Sequence, residues 1–503
     1  MKILLATLSI EPESRNENNR NAAYSLGLGY LHTVLEAAGH NVKTLFLNNV
    51  DYSASDAAFF SAVKEMRPQA VGFQVFSMNR VATFAVIQKL HDADPEIRII
   101  IGGVHTSMMY EQILKRFPYA VAVIGEGEHT LTELVAALAG GRTLENVNGL
   151  AYFQQGQVKL TPERELIADL DGLPEPRHEI FFDSEPARSV GHIISSRGCP
   201  FDCTFCCLKV ISKRRFRARS PERVAAEIKG LKNRYPRLKE IQFHDDTLLL
   251  DNARVIALCK LLVNEGLKLN FVCSARVKPV SEDMFYWMQK AGFTKVMFGL
   301  ETGSEKLLQS IHKGITKADV LNLFKTLKPY GFNVTTFLMC GFPGETAETV
   351  RETIELVRAT QRIKYNLVSG VGKLWVYPGT DVYRVMKAAG KISDDFWMTE
   401  QPVPYFTVEH DVATLTRFEN EMLENLSFLN IFTFRGFYRH FLRMPLGITR
   451  FFIKPSNGKI LLSVLAAAAQ RNFPVIYAKL YAAYKNAVSG RSDALPGGSD
   501  NTP

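Results

Sequence analysis

Ser196-Arg197-Gly198-Cys199-Pro200-Phe201-Asp202-Cys203-Thr204-Phe205-Cys206-Cys207 sets three cysteines in the spacing C-x3-C-x2-C, with a fourth directly behind. Soft thiolates select iron–sulfur clusters, zinc or copper(I). A [4Fe–4S] cluster usually takes four thiolates. Three would leave one iron open to bind and activate something else. Zinc would need a fourth ligand, and Cys207 adjoins Cys206 too closely for both to reach one tetrahedral ion easily. The plain alternatives are a zinc site or buried thiols that happen to lie close together.

Downstream of this stretch, strand and helix patterns alternate. Strands are expected at 192–196, 240–243, 269–274, 295–299, 333–340 and 373–377. Ser220-Pro221, Ser281 and Thr346 stand where helices should start, with a hydroxyl cap followed by Pro or acidic residues. Six such units over residues 189–399 make a partial parallel barrel, whose catalytic groups belong at the C-terminal strand ends. Those ends carry Phe243-His244-Asp245-Asp246, Ser274-Ala275-Arg276, Phe298-Gly299-Leu300-Glu301-Thr302-Gly303-Ser304, Gly341-Phe342-Pro343-Gly344-Glu345-Thr346 and Tyr377-Pro378-Gly379-Thr380. Taken singly, Asp245-Asp246 could close a turn, Glu301 and Arg276 could form an ion pair, and Gly341–Gly344 is a turn sequence.

Upstream, residues 1–145 alternate in the same way. Strands are expected at 2–8, 42–46, 70–75, 98–101 and 120–124, and helices at 27–38, 55–65, 80–92, 110–117 and 130–139. That pattern predicts a doubly wound, Rossmann-like α/β sheet. Ligands of such sheets bind at the carboxyl ends of the strands. Two of the loops there are glycine-rich, Gly102-Gly103-Val104-His105 and Gly125-Glu126-Gly127-Glu128. Gly27-Leu28-Gly29 lacks the third glycine of a dinucleotide fingerprint and reads as a helix-start packing site. A lone His105 would more often be a loop histidine than a ligand. Residues 146–188 read as a connector whose prolines argue against helix.

The cysteine loop, with aromatic Phe205 just before its last cysteine, resembles that of the radical SAM superfamily. Gly-Gly-x-His-Thr followed by Gly-Glu-Gly-Glu upstream of it, and the linker Asp169-Leu170-Asp171-Gly172-Leu173-Pro174-Glu175-Pro176, resemble the cobalamin-dependent branch that includes hopanoid methylases and anaerobic porphyrin cyclases. The resemblance implies a [4Fe–4S] cluster on Cys199, Cys203 and Cys206, with Cys207 a non-ligand, and S-adenosylmethionine (SAM) on the open iron. Asp245, Arg276, Glu301, Gly341 and Phe205 would contact SAM, and an Arg suits its carboxylate because a planar fork binds one bidentately. Cobalamin would lie on Gly102, Gly103, His105, Gly125, Glu126 and Gly127. The D-x-H-x-x-G signature is absent, which implies base-off cobalamin without a histidine below cobalt. The implied reaction is methyl transfer from methylcobalamin to an unactivated carbon through a 5′-deoxyadenosyl radical. Radical cyclisation or oxidation without methyl transfer is the alternative, and a cobalamin- or cluster-binding sensor without turnover is a third. A small-molecule, lipid-like substrate and an electron donor such as flavodoxin or ferredoxin are the expected partners.

Composition fits these expectations. The chain has 503 residues, 46% hydrophobic and 22% charged, an ordinary globular balance. Seven cysteines, four of them within 199–207, do not look like a secreted disulfide framework and point to a reducing cytoplasm. The net charge of +9 has one source, since residues 425–490 hold nine Lys or Arg and no Asp or Glu. Residues 400–490 read as helical. Arg435, Arg439 and Arg443 share one face, with Phe434, Phe437, Tyr438 and Phe441 on another. An anionic membrane surface and a helical cap with solvated arginines both fit this pattern. The basic run 213–219 reads as a solvated stretch or a phosphate contact, not a nucleic-acid site. Residues 491–503 have the composition of a disordered tail.

Overall fold

The structure, a computed structural model, describes residues 1–10, 24–48, 50–184 and 187–426. The N-terminal unit holds β1 (Lys2–Thr7), β2 (Asn41–Phe46), β3 (Ala70–Gln74), β4 (Arg98–Gly102), β5 (Ala120–Val123), β6 (Leu150–Gln154) and β7 (Gln157–Leu160). They form one sheet in the order β2-β1-β3-β4-β5-β6-β7. The first five are parallel, and β6 and β7 join antiparallel. Both faces of a parallel sheet must be covered, so β1, β3 and β4 are almost wholly apolar and buried.

The connector expected at 146–188 therefore begins with a hairpin that extends the N-terminal sheet. Its turn is Gln155-Gly156, both at positive φ. Both strands are short, and only the outer one, β7, is a polar edge strand.

The second unit holds β8 (Val190–Ile193), β9 (Ser196–Arg197), β10 (Arg217–Ala218), β11 (Glu240–Phe243), β12 (Asn270–Ala275), β13 (Phe293–Glu301), β14 (Asn333–Cys340) and β15 (Asn366–Lys373). Six of these run parallel in the order β15-β14-β13-β12-β11-β8, and β9 with β10 forms a separate antiparallel ribbon. Ser220, Ser281 and Thr346 cap the helices Pro221–Arg234, Glu282–Ala291 and Ala347–Ile363 through their hydroxyls.

The sixth barrel strand is Asn366–Lys373, not 373–377. Ser369, Gly370 and Gly372 gave it the composition of a loop. The more strand-like Leu374-Trp375-Val376-Tyr377 leaves the sheet, and Trp375 makes a single bridge to Tyr405. Of the segment expected to be helical from residue 400, the described part is the helix Val412–Leu426, preceded by irregular chain. The basic aromatic stretch beyond it and the tail lie outside the described residues.

The two units share one core. Leu4, Val71, Ile99 and Ile113 of the first belong to the same buried cluster as Phe342, Leu374, Val382 and Trp397 of the second. Arg80, 1% exposed, donates to the carbonyls of Trp397, Thr399 and Gln401 and so ties them together. The carboxyl ends of both sheets therefore meet.

Candidate active site

Gly198 leads into the cysteine loop at φ +85°, and a Cβ there would stand 2.1 Å from the Arg215 carbonyl oxygen. No other residue fits this crossing. The ribbon of Arg197 with Arg217 closes the loop at its base. Asp246 accepts from the Gly198 amide at 2.8 Å. Asp245 accepts from the Ser195 amide at 3.0 Å and from the hydroxyls of Ser195 and Ser196 at 2.6 and 2.5 Å. Asp245 is thus a buried scaffold beneath the loop, whereas its neighbour Asp246, noted at the same strand end but not taken as a SAM contact, reaches the cavities.

Cys199, Cys203 and Cys206 line one cavity of about 390 Å³, together with Phe201, Phe205, Arg276, Glu301 and Lys313. Cys207 is not among its lining residues. Among the described residues no three His, Cys, Asp or Glu converge as ligands of a single metal ion. Burial pushes the Cys206 thiol up to about 12 and raises Cys199 as well. A cation nearby would favour the thiolate forms over the thiols.

Arg276 and Glu301 face this cavity but are not paired with each other. Glu301 sits at φ +65°, where β13 bulges against β14, and its carboxylate takes Lys313 Nζ at 2.7 Å. Arg276 stacks over Phe201 with its guanidinium 3.7 Å from the ring centre. It donates to the Lys313 carbonyl and, at 3.5 Å, to Cys203 Sγ. Lys313 itself is buried, and no periodicity or motif marks it in the sequence. Phe205, Glu301 and Phe337 also line an adjoining apolar cavity of about 610 Å³ along β14 and β15, where Gly370 and Gly372 leave room. Gly341 lies beyond, at φ +92°. Its amide and that of Phe342 donate to Glu345, and Phe342 packs 5.5 Å from Phe205, centre to centre. Burial pushes Glu345 up to about 7, against the partial offset of those two amides.

A further cavity, about 350 Å³, lies between the units at the carboxyl ends of β1, β3, β4 and β5. Gly102, Gly103, Gly125, Glu126 and Gly127 line it, as expected, and so do Ser196, Arg197, His244 and Asp246 from the barrel side. A Cβ on Gly125 would meet nothing within 4 Å, so the loop leaves this space clear. Asp246 and Leu208 line both this cavity and that of the cysteines.

His105 is the exception. Gly102–Thr106 is not a free loop, because the helix Val104–Arg116 starts inside it, six residues before the expected start. Gly103, at φ +100° with its Cα against the Val75 backbone, makes the turn. His105 is then carried into the core, 1% exposed, with Nδ1 2.9 Å from Ser77 Oγ and its ring 5.3 Å from Trp397. Burial lowers it to about 3, so the imidazole is neutral. Likewise the helix expected from residue 130 begins at Gly127.

The basic run 213–219 is spent on partners within the chain. Lys213 pairs with Glu163, Arg215 with Glu165, Arg217 with Glu126 and Arg219 with Glu227. Arg214 and Arg215 keep 55% and 65% of their side chains exposed, as a solvated stretch would.

Family models agree with this division. Residues 18–135 match the B12 binding domain and residues 193–357 the radical SAM superfamily. An uncharacterised methyltransferase of Pyrococcus horikoshii, PH0819, is 32% identical over 80% of this chain and 85% of its own. An anaerobic magnesium-protoporphyrin IX monomethyl ester cyclase of Rubrivivax gelatinosus is 27% identical over 66% of this chain and 61% of its own. The radical SAM methyltransferase TsrM of Kitasatospora setae has the same fold, with a TM-score of 0.64 at 19% identity over 77% of this chain and 76% of its own. A corrinoid-type domain set against a three-cysteine barrel is what these comparisons have in common with the geometry above, and the chain belongs to the cobalamin-dependent radical SAM enzymes, with a [4Fe–4S] cluster, SAM and cobalamin as its cofactors.

Proposed function

We propose that this enzyme transfers a methyl group to a carbon atom of a small, largely apolar substrate. The observation that carries the reading is the wall shared by the cysteine and inter-unit cavities, where Asp246 and Leu208 face both. Bound together, the cluster with SAM supplies a carbon-centred radical, and cobalamin supplies a transferable methyl group.

The chain's own part is to bind, orient and exclude water. Cys199, Cys203 and Cys206 are the ligands we assign to the cluster. Arg276 would take the SAM carboxylate, and Glu301 its amino group. The apolar cavity by Phe205, Gly370 and Gly372 would take the adenosyl end. Glu345 fixes the Gly341 and Phe342 amides at the end of β14. The inter-unit cavity would take part of the corrinoid, and its glycines keep side chains out of the way. A neutral His105 packed against Trp397 supports cobalamin bound without a histidine from this loop. An external one-electron donor of the flavodoxin or ferredoxin type would reduce the cluster. Surface contact with an anionic membrane rests on the sequence pattern of residues 425–490, and deleting them should release the protein from anionic liposomes.

The cyclase relative favours one second reading, ring formation without methyl transfer. The fate of the SAM methyl group separates the two. With methyl-deuterated SAM and substrate, methyl transfer yields labelled product, and 5′-deoxyadenosine and S-adenosylhomocysteine in near-equal amounts. Substrate-dependent deoxyadenosine with neither label nor S-adenosylhomocysteine would establish the cyclase reading instead.

A further inference from the structure

The Gly125-Glu126-Gly127-Glu128 loop does two jobs at once. Its glycines border the inter-unit cavity, while its carboxylates leave the N-terminal unit and grip the ribbon at the base of the cysteine loop. Glu126 takes Arg217 in a two-point fork, Nη1 to Oε2 at 2.8 Å and Nη2 to Oε1 at 2.9 Å. Arg197 bridges both acids, Nη1 to Glu126 Oε1 at 3.2 Å and Nη2 to Glu128 Oε1 at 2.6 Å. The Ile167 amide also donates to Glu126 at 2.8 Å, and Arg217 donates to the Ile167 carbonyl at 2.7 Å. Arg197 lies over the Tyr30 ring, 5.0 Å from its centre. All four charged side chains are 17% exposed or less.

This is not a scattering of surface pairs. Arg197 and Arg217 face each other across the ribbon, so the two acids hold both strands where the chain enters and leaves the cysteine loop. Only Gly198 separates Arg197 from Cys199. Buried, forked and charge-assisted contacts of this kind fix geometry as well as position. A ligand that shifts residues 125–127 must shift the ribbon, and a cluster that tightens the loop must pull on the same carboxylates.

We propose that Glu126 and Glu128 are positioning residues for the iron–sulfur loop, so that corrinoid occupancy and cluster occupancy are energetically coupled through Arg197 and Arg217. The inference rests on the cofactor assignments made above. Coupling between sites is reciprocal and typically amounts to about 5- to 150-fold in affinity.

The test measures hydroxocobalamin affinity by absorbance titration under anaerobic conditions. It compares full-length protein holding its cluster with the Cys199→Ala, Cys203→Ala, Cys206→Ala triple variant. The affinities with and without the cluster should differ at least about five-fold. Cobalamin should also shift the electron paramagnetic resonance of the reduced cluster. In Glu128→Gln the affinity ratio should fall towards one and the spectral shift should vanish, while each cofactor still binds. Arg217→Lys, which keeps the charge but loses the fork, should do the same to a smaller extent and guards against a folding defect in one variant. Equal affinities with and without the cluster, or a ratio and shift retained in both variants, would overturn the inference. A wild-type chain that takes up no cluster or no cobalamin would instead overturn the cofactor assignments, and the coupling with them.

Discussion

The Lys313 ammonium stands 2.7 Å from the Glu301 carboxylate in the wall of the cavity that the three cysteines share. Glu301 is assigned to the amino group of SAM, and Lys313 fixes the Glu301 carboxylate there. Glu301→Gln keeps the shape and removes the charge. A hydrogen bond to a charged group contributes about 1.5–3 kcal/mol, so SAM should bind roughly 10- to 150-fold more weakly. Equilibrium dialysis of cluster-loaded protein measures this, and unchanged affinity would remove Glu301 from the site.

Replacing Cys199, Cys203 or Cys206 by Ala should cost the cluster and abolish reductive SAM cleavage. Cys207→Ala should retain both, because Cys207 does not line the cavity of the other three. Iron content and deoxyadenosine yield decide it. Loss of the cluster in Cys207→Ala with retention in Cys206→Ala would reverse the ligand assignment.

His105→Ala should leave the spectrum of bound cobalamin unchanged, since the ring packs against Trp397 and bonds Ser77 rather than facing the cavity. Its cost should fall on stability, about 2–4 kcal/mol for emptying a large core site, as read by denaturant unfolding. A changed axial coordination spectrum would contradict this placement.

Glu345 gives a pH dependence with a definite sign. Its carboxyl is about 7 in the fold against an ordinary 4.5, so the native state holds the proton more tightly than the unfolded chain. Stability is therefore full below about 4.5 and falls as pH rises through about 7, by a total on the order of 3 kcal/mol. Glu345→Gln keeps an oxygen for the Gly341 and Phe342 amides and has nothing to ionise. Its Tm should exceed that of wild type at pH 8 and converge with it near pH 5. Parallel Tm profiles for the two proteins would show that Glu345 does not titrate there.

The sequence by itself determined the five parallel strands of the first unit, the parallel architecture of the second and the cysteine triad. These are local properties: strands buried on both faces are continuous apolar runs, caps such as Ser220-Pro221 start helices at once, and three thiols within eight residues need no tertiary contact to be noticed. Glycine placement also carried through, since Gly102, Gly125 and Gly127 do border a cavity. The tertiary structure decided which polar side chains face the ligands. His105 and Asp245 belong to motifs, yet a helix that starts at Val104 turns one into the core, and the serines of the cysteine loop engage the other. Lys313, Asp246 and the grip of Glu126 and Glu128 on the ribbon depend on residues 12 to 91 positions apart in sequence. No periodicity encodes such pairings. They exist because burial leaves a charged group no low-energy state except beside a partner, and only the packed fold settles which partner is within reach.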